Sequence, residues 1–346
     1  MNAAPIVLAV ESSCDETAAA VVAGLQVRAS VVASQVAVHA KFGGVVPELA
    51  SRHHLTAVVA VVEEALAGAG VSWEQLEGLV VTEGPGLVGA LLVGVQFMRG
   101  AALARGLPLV GVHHMEGHLL SPFLGDDKQE ARAFEPHLAL SVSGGHTELV
   151  LVEQMGRYRV LGNTRDDAAG EAFDKVAKML GLGYPGGPVI DRLAGEGNAS
   201  AVSFPRAMME RSSLEFSFSG LKTAVAVYLQ QHGQPTSRAV LADVCASVQA
   251  AIVEVLVAKT RRARREHGCK LVTVVGGVSA NSGLRTAMAR AAAEDGFVLY
   301  TPALRYCGDN AAMIGAAGSL RLRAGARAEV AVFASGAIDE ARESRA

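Results

Sequence analysis

Two histidines one helical turn apart and a distant aspartate offer the clearest chemistry in this chain. His114 and His118 flank Met115-Glu116-Gly117, and Asp309 follows far downstream in a Gly-Asp-Asn triplet. Imidazoles at i and i+4 lie on one helix face, roughly 6 Å apart, so both can bind one ion. With Asp309 they would form a two-histidine, one-carboxylate set with open coordination positions for water or substrate. The spacing alone leaves an ordinary pair of helix histidines as the alternative.

The position of Glu116 argues against one familiar metal chemistry. Zinc peptidases of the HExxH type carry their general base directly after the first histidine. Here the acid is the second residue after His114, where a helical side chain points away from the metal-binding face. A metallopeptidase is therefore a weaker interpretation of the same histidine pair.

Length and composition set the class of protein. The chain has 346 residues, enough for two domains, and half of them are hydrophobic. No uninterrupted apolar run reaches the roughly 18 residues that span a bilayer, and no basic segment precedes the first apolar residues. Four scattered cysteines without a CxxC pair are typical of a reduced cytosolic protein. The net charge of −3 gives no global nucleic-acid signature, so we expect a cytoplasmic protein whose RNA binding is local or shared with partners.

A weak internal repeat indicates the architecture. Residues 8–22 and 138–152 align without a gap at an offset of 130, with five identities, and each reads as strand, small polar turn and strand. In both halves a later apolar strand runs into a glycine turn and a helix. Strands that alternate with helices predict an α/β fold with covered sheets. The hairpins and glycine turns could hold phosphates through backbone N–H groups.

Nine motifs in order carry a resemblance to a known family. They are ESSCDET (11–17), GGVVPELASRHH (43–54), HMEGH (114–118), VSGGHTEL (142–149), DDAAGEAFDK (166–175), YPGGP (184–188), FSFSGLKT (216–223), GGVSANSGLR (276–285) and GDNAAMI (308–314). Together they resemble the TsaD family, the bacterial tRNA N6-adenosine threonylcarbamoyltransferases once described as O-sialoglycoprotein endopeptidases. The match covers nearly the whole chain.

The resemblance implies a fold and a division into lobes. The fold is that of the actin-like ATPases (ASKHA), with two related ribonuclease-H-like lobes around a central nucleotide and metal cleft. We expect an N-terminal lobe at residues 1–132 with the first hairpin and the histidine pair. We expect a C-terminal lobe at 133–346 with the nucleotide motifs, its last helices packing back on the first lobe.

The resemblance also implies the reaction. Threonylcarbamoyl-AMP donates its threonylcarbamoyl group to N6 of adenosine 37 in tRNAs that read codons beginning with adenine, and AMP leaves. The implied cofactors are one divalent metal per subunit, iron or alternatively zinc, at His114, His118 and Asp309, and an adenine nucleotide in the cleft. The first hairpin carries Asp15 and Glu16, which could hold metal-bound water or take the amine proton. An ordinary acidic turn is the alternative for these two residues.

The nucleotide site is expected in the second half of the chain. Ser141, Val142, Ser143, Gly144 and Gly145 form the second hairpin, where missing side chains let backbone N–H groups approach a phosphate. By resemblance, further contacts to the nucleotide come from Asp174, Gly187, Asp191 and Asn281. Asn281 also has the position and residue type of a helix N-cap.

The expected partners are RNA and protein. Lys259, Arg261, Arg262, Arg264 and Arg265 form a basic cluster at a helix end, and Arg52, His53 and His54 form a second candidate patch for the tRNA anticodon loop. Ordinary solvation at a helix C-terminus is the alternative for the first cluster. The resemblance implies a TsaB-like paralogue, bound through the N-terminal lobe, and a TsaE-like ATPase, and no membrane. Besides the peptidase, a non-catalytic nucleotide-binding scaffold and a small-molecule kinase stay open as rival functions.

Overall fold

The chain folds into two compact units, each described here by itself. The structure, a computed structural model, describes residues 4–209, 213–326 and 330–339. The first unit runs up to Phe134 and resumes at Pro302, and the second unit comprises Glu135–Thr301. The lobe boundary expected at residues 132 and 133 stays a prediction.

Strands and helices alternate along the described chain. The strands are β1 (Ile6–Glu11), β2 (Glu16–Ala23), β3 (Gln26–Ser34), β4 (Gly78–Gly84), β5 (Leu109–His113), β6 (His137–Val142), β7 (Thr147–Gln154), β8 (Arg157–Asn163), β9 (Leu271–Val275) and β10 (Val298–Tyr300). The helices are α1 (Val36–His39), α2 (Pro47–Ala69), α3 (Val88–Arg105), α4 (His114–Leu120), α5 (Ala169–Met179), α6 (Gly186–Ala194), α7 (Ser219–His232), α8 (Arg238–His267), α9 (Ser282–Asp295) and α10 (Ala311–Arg323). Short 3₁₀ turns connect several of them.

The first unit is a five-stranded sheet with helices on both faces. Its strand order is β3-β2-β1-β4-β5, with β1 antiparallel to β2 and parallel to β4. Leu8 and Val10 of β1 face a core formed with α2 and α3. Since side chains alternate along a strand, Ala9 points to the other face, where it lies against Gly315 of α10. The helix near the end of the chain thus completes the unit in which the chain begins.

The second unit repeats the topology of the first. Its strand order, β8-β7-β6-β9-β10, matches that of the first sheet strand for strand. The register repeats too, because Leu8 pairs with Val21 and Leu138 pairs with Leu151, both at the offset of 130 seen in the sequence. Helices α5–α9 contribute its apolar core. The predicted α/β fold and its internal repeat are confirmed.

Two helices are long and apolar enough to span a membrane. By length and hydropathy α3 and α8 could each cross a bilayer, although most of the apolar part of α8 is buried inside the structure. Core helices of soluble proteins can have the same length and hydropathy. The expectation that no segment enters a membrane stays a prediction.

Candidate functional site: a histidine–aspartate cluster and a glycine-lined cavity

The predicted metal ligands lie on two elements of the first unit that pack against each other. The strand β5 leads directly into α4, whose seven residues are all buried. At Gly117 a Cβ atom would lie only 2.8 Å from Ile314 and 2.9 Å from Met313, so a glycine is needed for α4 to approach α10 this closely. Asp309 directly precedes Asn310, the N-cap of α10, whose side chain accepts a hydrogen bond from the Met313 N–H.

The three ligand groups converge on one point. Nε2 of His118 lies 3.1 Å and Nε2 of His114 lies 3.4 Å from the same oxygen, Oδ1 of Asp309. Ligand atoms about 2.1 Å from one ion lie roughly 3.0–3.4 Å apart in octahedral or tetrahedral geometry. All three groups offer atoms within 4.8 Å of one another. The donor set therefore fits a divalent cation such as iron or zinc, and it does not choose between them.

Glu11 is a buried partner of this cluster. Its Oε2 lies 3.2 Å from Nδ1 of His114 and accepts a hydrogen bond from Thr82 Oγ1, while its Oε1 accepts one from the Ser13 N–H. A carboxylate on the far nitrogen of a ligand histidine fixes the ring and its tautomer, as in many metal sites. No spacing in the sequence points to this role of Glu11, and its place in the ESSCDET motif is the one signal for it.

The electrostatics of the cluster follow from these contacts. Burial disfavours a charged His114, but the carboxylates of Asp309 and Glu11 outweigh it and hold the pKa of His114 well above its usual value. Burial likewise opposes ionisation of Asp309, yet His114 and His118 keep the pKa of its carboxyl well below the usual range. The cluster is thus an arrangement of opposite charges closed to bulk water on most sides.

The acidic hairpin stands beside the cluster. Asp15 is buried and Glu16 half-buried, at the turn between β1 and β2. Burial, the negative charges of Asp309 and Asp15 and a hydrogen bond with Asp15 together raise the pKa of Glu16 to about 9. Glu16 is therefore protonated at neutral pH without a nearby cation, and a cation at the His-His-Asp cluster would favour its ionisation.

Glu116 faces away from the cluster, as its position in the motif predicts. Its carboxylate is fully buried and forms an ion pair with Arg321 of α10. Arg321 also donates a hydrogen bond to the carbonyl of Gly111 at 2.7 Å. Glu116 is thus a structural partner that binds α4 to α10, and it is not placed as a peptidase base.

The second unit contains a cavity of about 570 Å³, here called the second-unit cavity. Five of the residues predicted to bind a nucleotide line it: Gly144, Asp174, Gly187, Asp191 and Asn281. Gly277 also lines it, and a Cβ atom at Gly144 or Gly277 would meet no other atom within 4 Å. Neither glycine has the positive φ that favours this residue. The missing side chains therefore leave room for a ligand.

Several polar groups of this cavity already have protein partners. Oδ1 of Asp174 accepts hydrogen bonds from the N–H groups of Gly186 (2.7 Å) and Gly187 (3.3 Å), and burial raises the pKa of its carboxyl. The carboxylate of Asp191 accepts from both the N–H and the hydroxyl of Ser282. Each group keeps lone pairs for a further donor such as a ribose hydroxyl.

Asn281 acts as the expected N-cap. Its Oδ1 accepts from the Leu284 N–H at 2.8 Å, and its Nδ2 donates to Gln249 at 2.7 Å. Its predicted contact with a nucleotide stays a prediction.

The other predicted nucleotide residues lie outside the lining of this cavity. Ser141 and Val142 are fully buried in β6, while Ser143 and Gly145 sit in the turn that follows. The Ser143 hydroxyl accepts a hydrogen bond from the His146 N–H, which stabilises the turn. Only Gly144 of this hairpin reaches the cavity wall, and the roles of the other four stay predictions.

The basic cluster at the end of α8 is mostly engaged inside the second unit. Lys259 is completely buried and donates to the carbonyls of Met208 and Ser213. The arginines have the following partners: Arg261 with Asp295 and Glu294, Arg262 with the Ser213 carbonyl, Arg264 with the Cys269 carbonyl, and Arg265 with Asp295 at 3.8 Å. The interpretation of this cluster as a free RNA-binding surface is therefore wrong for Lys259 and weakened for its neighbours.

The second candidate patch for RNA, residues 52–54, is only partly exposed. Arg52 is exposed and His53 is half-buried, but His54 is fully buried and faces the first hairpin. His54 cannot contact RNA from this position, so the prediction that it belongs to the RNA-binding patch is wrong.

Comparisons of the sequence agree on one family. The family model described as TsaD, tRNA N6-adenosine threonylcarbamoyltransferase, matches residues 26–316. The tRNA N6-adenosine threonylcarbamoyltransferase of Trichlorobacter lovleyi is 55% identical over 331 residues, which cover 95% of each chain. The protein of the same name from Syntrophotalea carbinolica is 54% identical over 326 residues, 94% of each chain.

Solved structures agree on the fold. Full-length HypF, in a phosphate- and nucleotide-bound form, superposes with a TM-score of 0.63 at 12% identity, covering 93% of this chain and 47% of that one. Component A of the (R)-2-hydroxyglutaryl-CoA dehydratase of Acidaminococcus fermentans gives a TM-score of 0.50 at 16% identity, covering 91% and 95%. At such identities the likeness concerns the fold alone. It confirms the predicted actin-like ATPase fold.

Proposed function

The chain belongs to the TsaD family of tRNA N6-adenosine threonylcarbamoyltransferases, and we propose on that basis a specific reaction. The protein transfers the threonylcarbamoyl group of threonylcarbamoyl-AMP to N6 of adenosine 37 in tRNAs that read codons beginning with adenine. The observation that carries this proposal is identity of 54–55% along more than nine-tenths of this chain and of its relatives.

The chemistry of the two substrates defines what the protein must supply. The donor is a mixed anhydride, so AMP is already a good leaving group. The acceptor amine is weak, because its lone pair is delocalised into the purine. N6 attacks the carbonyl carbon, the bond from that carbon to the phosphate oxygen breaks, and a proton leaves N6. Catalysis therefore needs orientation, stabilisation of negative charge on oxygen, and a proton acceptor.

The His-His-Asp cluster and the acidic hairpin match these needs. A divalent cation at His114, His118 and Asp309, iron or alternatively zinc, would supply electrostatic stabilisation of oxygen charge. Glu11 keeps His114 oriented for that role. The Asp15–Glu16 pair takes the amine proton, and a cation at the cluster would keep the Glu16 carboxyl ionised for that role.

The second-unit cavity suits the adenylate part of the donor. Its volume of about 570 Å³ and its apolar glycine-rich wall are typical of small-molecule sites. Asp174 and Asp191 offer acceptors for ribose hydroxyls, and Gly144 and Gly277 leave space for the ligand.

An apolar surface on the first unit suits the expected paralogue. Leu55 and Val59 on α2 and Val88 and Leu92 on α3 are 40–64% exposed, and each pair is spaced four residues apart on its helix. The two helices pack side by side. We name these four residues the α2–α3 face. A TsaB-like partner docks there in this proposal, a TsaE-like ATPase joins the complex, and the reaction takes place in the cytoplasm.

A reconstituted assay tests the reaction and the cluster together. Threonylcarbamoyl-AMP, unmodified tRNA that decodes ANN codons and the partner proteins are combined with wild type, His114→Ala or Asp309→Ala. Nucleoside mass spectrometry then measures the modified adenosine. We expect product with wild type and a loss of roughly a hundredfold or more in both variants.

Three results would change the proposal. Full activity in both variants would remove the cation from the mechanism. No product from wild type with competent tRNA and partners would favour the non-catalytic scaffold. Cleavage of a glycoprotein by the pure, metal-loaded protein would revive the peptidase.

A further inference from the structure

A chain of buried polar side chains lies behind the acidic hairpin of the first unit. It consists of His54 on α2, Thr17 at the start of β2, Gln35 after β3 and His39 on α1, which are all at most 5% exposed. Buried histidines and glutamines need hydrogen-bond partners, because an unpaired polar group in the interior is costly. His54 belongs to the motif GGVVPELASRHH, which has no role in the mechanism proposed above.

His54 holds the hairpin on both sides of its two acids. Its Nε2 lies 3.0 Å from the carbonyl of Cys14, directly before Asp15. Its Nδ1 lies 2.7 Å from Oγ1 of Thr17, directly after Glu16. Because a carbonyl only accepts, Nε2 carries the proton and Nδ1 accepts from the threonine hydroxyl. One neutral imidazole thus hydrogen-bonds both residues that flank the acids.

Gln35 adds a third support from behind. Its backbone N–H donates to the carbonyl of Asp15 at 3.0 Å. Its side-chain Oε1 lies 3.2 Å from Nε2 of His39, whose Nδ1 accepts from the Val46 N–H at 3.2 Å. The backbone donor therefore fixes the tautomer of His39, which in turn donates to Gln35. This network therefore holds Cys14, Asp15 and Thr17.

We propose that His54 is a positioning residue for the transfer reaction, which fixes the segment Cys14–Thr17 so that Asp15 and Glu16 keep their place beside the His-His-Asp cluster. The proposal rests on the proposed function for its effect on turnover. Gln35 and His39 act through His54 and the hairpin backbone. A catalytic pair needs such support, because a displacement of about 1 Å can cost a hundredfold in rate.

The test compares two substitutions of His54 in the full chain. His54→Leu fills the space and removes both hydrogen bonds, while His54→Gln keeps one donor and one acceptor. We expect faster amide hydrogen exchange in residues 14–17 of His54→Leu and a fall in kcat of roughly tenfold to a hundredfold. KM for threonylcarbamoyl-AMP should stay within about twofold, because the adenylate site proposed above is the second-unit cavity and not this hairpin. His54→Gln should recover part of the kcat.

Controls separate positioning from general destabilisation. His232→Leu makes the same change at an exposed histidine of α7 and should alter neither measurement. If His54→Leu does not fold, Thr17→Val removes only the hydroxyl that the imidazole binds, with Thr56→Val at an exposed site of α2 as its match.

Two outcomes would overturn the proposal. One is unchanged exchange at residues 14–17 with kcat within twofold of wild type. The other is faster exchange throughout the first unit with unchanged kcat per folded molecule, which would make His54 a purely structural residue. Failure of the wild-type reaction would instead count against the proposed function, since the exchange measurement needs no activity.

Discussion

Glu11 lies beside the His-His-Asp cluster with no exposed surface, and its carboxylate contacts His114, Thr82 and Ser13. We predict that Glu11→Gln weakens binding of a divalent cation by roughly tenfold to a hundredfold, because the negative charge that makes His114 a stronger ligand is lost. Titration calorimetry with Zn²⁺ and metal analysis after dialysis would measure the change. Glu74→Gln, at an exposed glutamate, is the matched control.

An unchanged cation affinity in Glu11→Gln would show that the charge of Glu11 is not needed for cation binding. Since the amide can still hydrogen-bond Thr82 and the His114 ring, the substitution tests the charge more than the contact.

The stability of the second unit should depend on pH through His137. Burial lowers the pKa of this imidazole to about 4, from 6.5. The unfolded chain therefore binds more protons between these values, so stability is complete above pH 6.5 and falls as the pH drops towards 4. The loss should reach roughly 3 kcal/mol, measured as the free energy of urea unfolding at a series of pH values.

His137→Gln should remove that part of the pH dependence, and His267→Gln, at an exposed histidine, should keep it. Equal slopes in all three proteins would show that another group controls acid unfolding.

At the scale of elements, the loops after β6 and β9 decide what the second-unit cavity accepts. Gly144→Ala and Gly277→Ala each add a methyl group that meets no protein atom within 4 Å. We expect an unchanged melting temperature and roughly tenfold weaker binding of AMP, since the methyl group takes ligand space. Calorimetric titration with AMP would measure this. Gly220→Ala adds the same methyl group in open space on α7 and should bind AMP like wild type, while normal binding in the two cavity variants would place the nucleotide elsewhere.

The sequence predicted local features of the site, whereas contacts between distant residues needed the structure. The i, i+4 spacing of His114 and His118 is a local pattern, so it predicted α4 and the shared face of the two ligands. The support of His114 by Glu11 joins residues 103 positions apart, and no local pattern encodes such a contact. Lys259 and His54 looked like surface cations because charge alone does not reveal burial, and both are satisfied by hydrogen bonds that only the tertiary structure supplies.

At the scale of the whole molecule, the α2–α3 face should govern assembly. Leu55→Glu combined with Val59→Glu places two charges in the centre of the proposed interface, where burial without a partner is costly. We expect binding of the TsaB-like paralogue to weaken by about a hundredfold or more, measured by sedimentation velocity, with little change in the stability of the free protein. Val227→Glu, at an exposed site on α7, should bind normally. Normal binding by the double variant would move the interface away from this face.

Because α10 belongs to the first unit, that unit is the last to be completed during synthesis. Domains generally fold as units while the chain emerges, and every strand and helix of the second unit precedes residue 302. The face of the first sheet that packs on α10 stays uncovered until that helix is made, and Asp309 lies in the same late segment. A nascent chain can thus finish its cavity before the histidines acquire their carboxylate. A chain truncated before residue 309 would hold the histidine pair without Asp309, so the three proposed ligands come together only when synthesis is nearly complete.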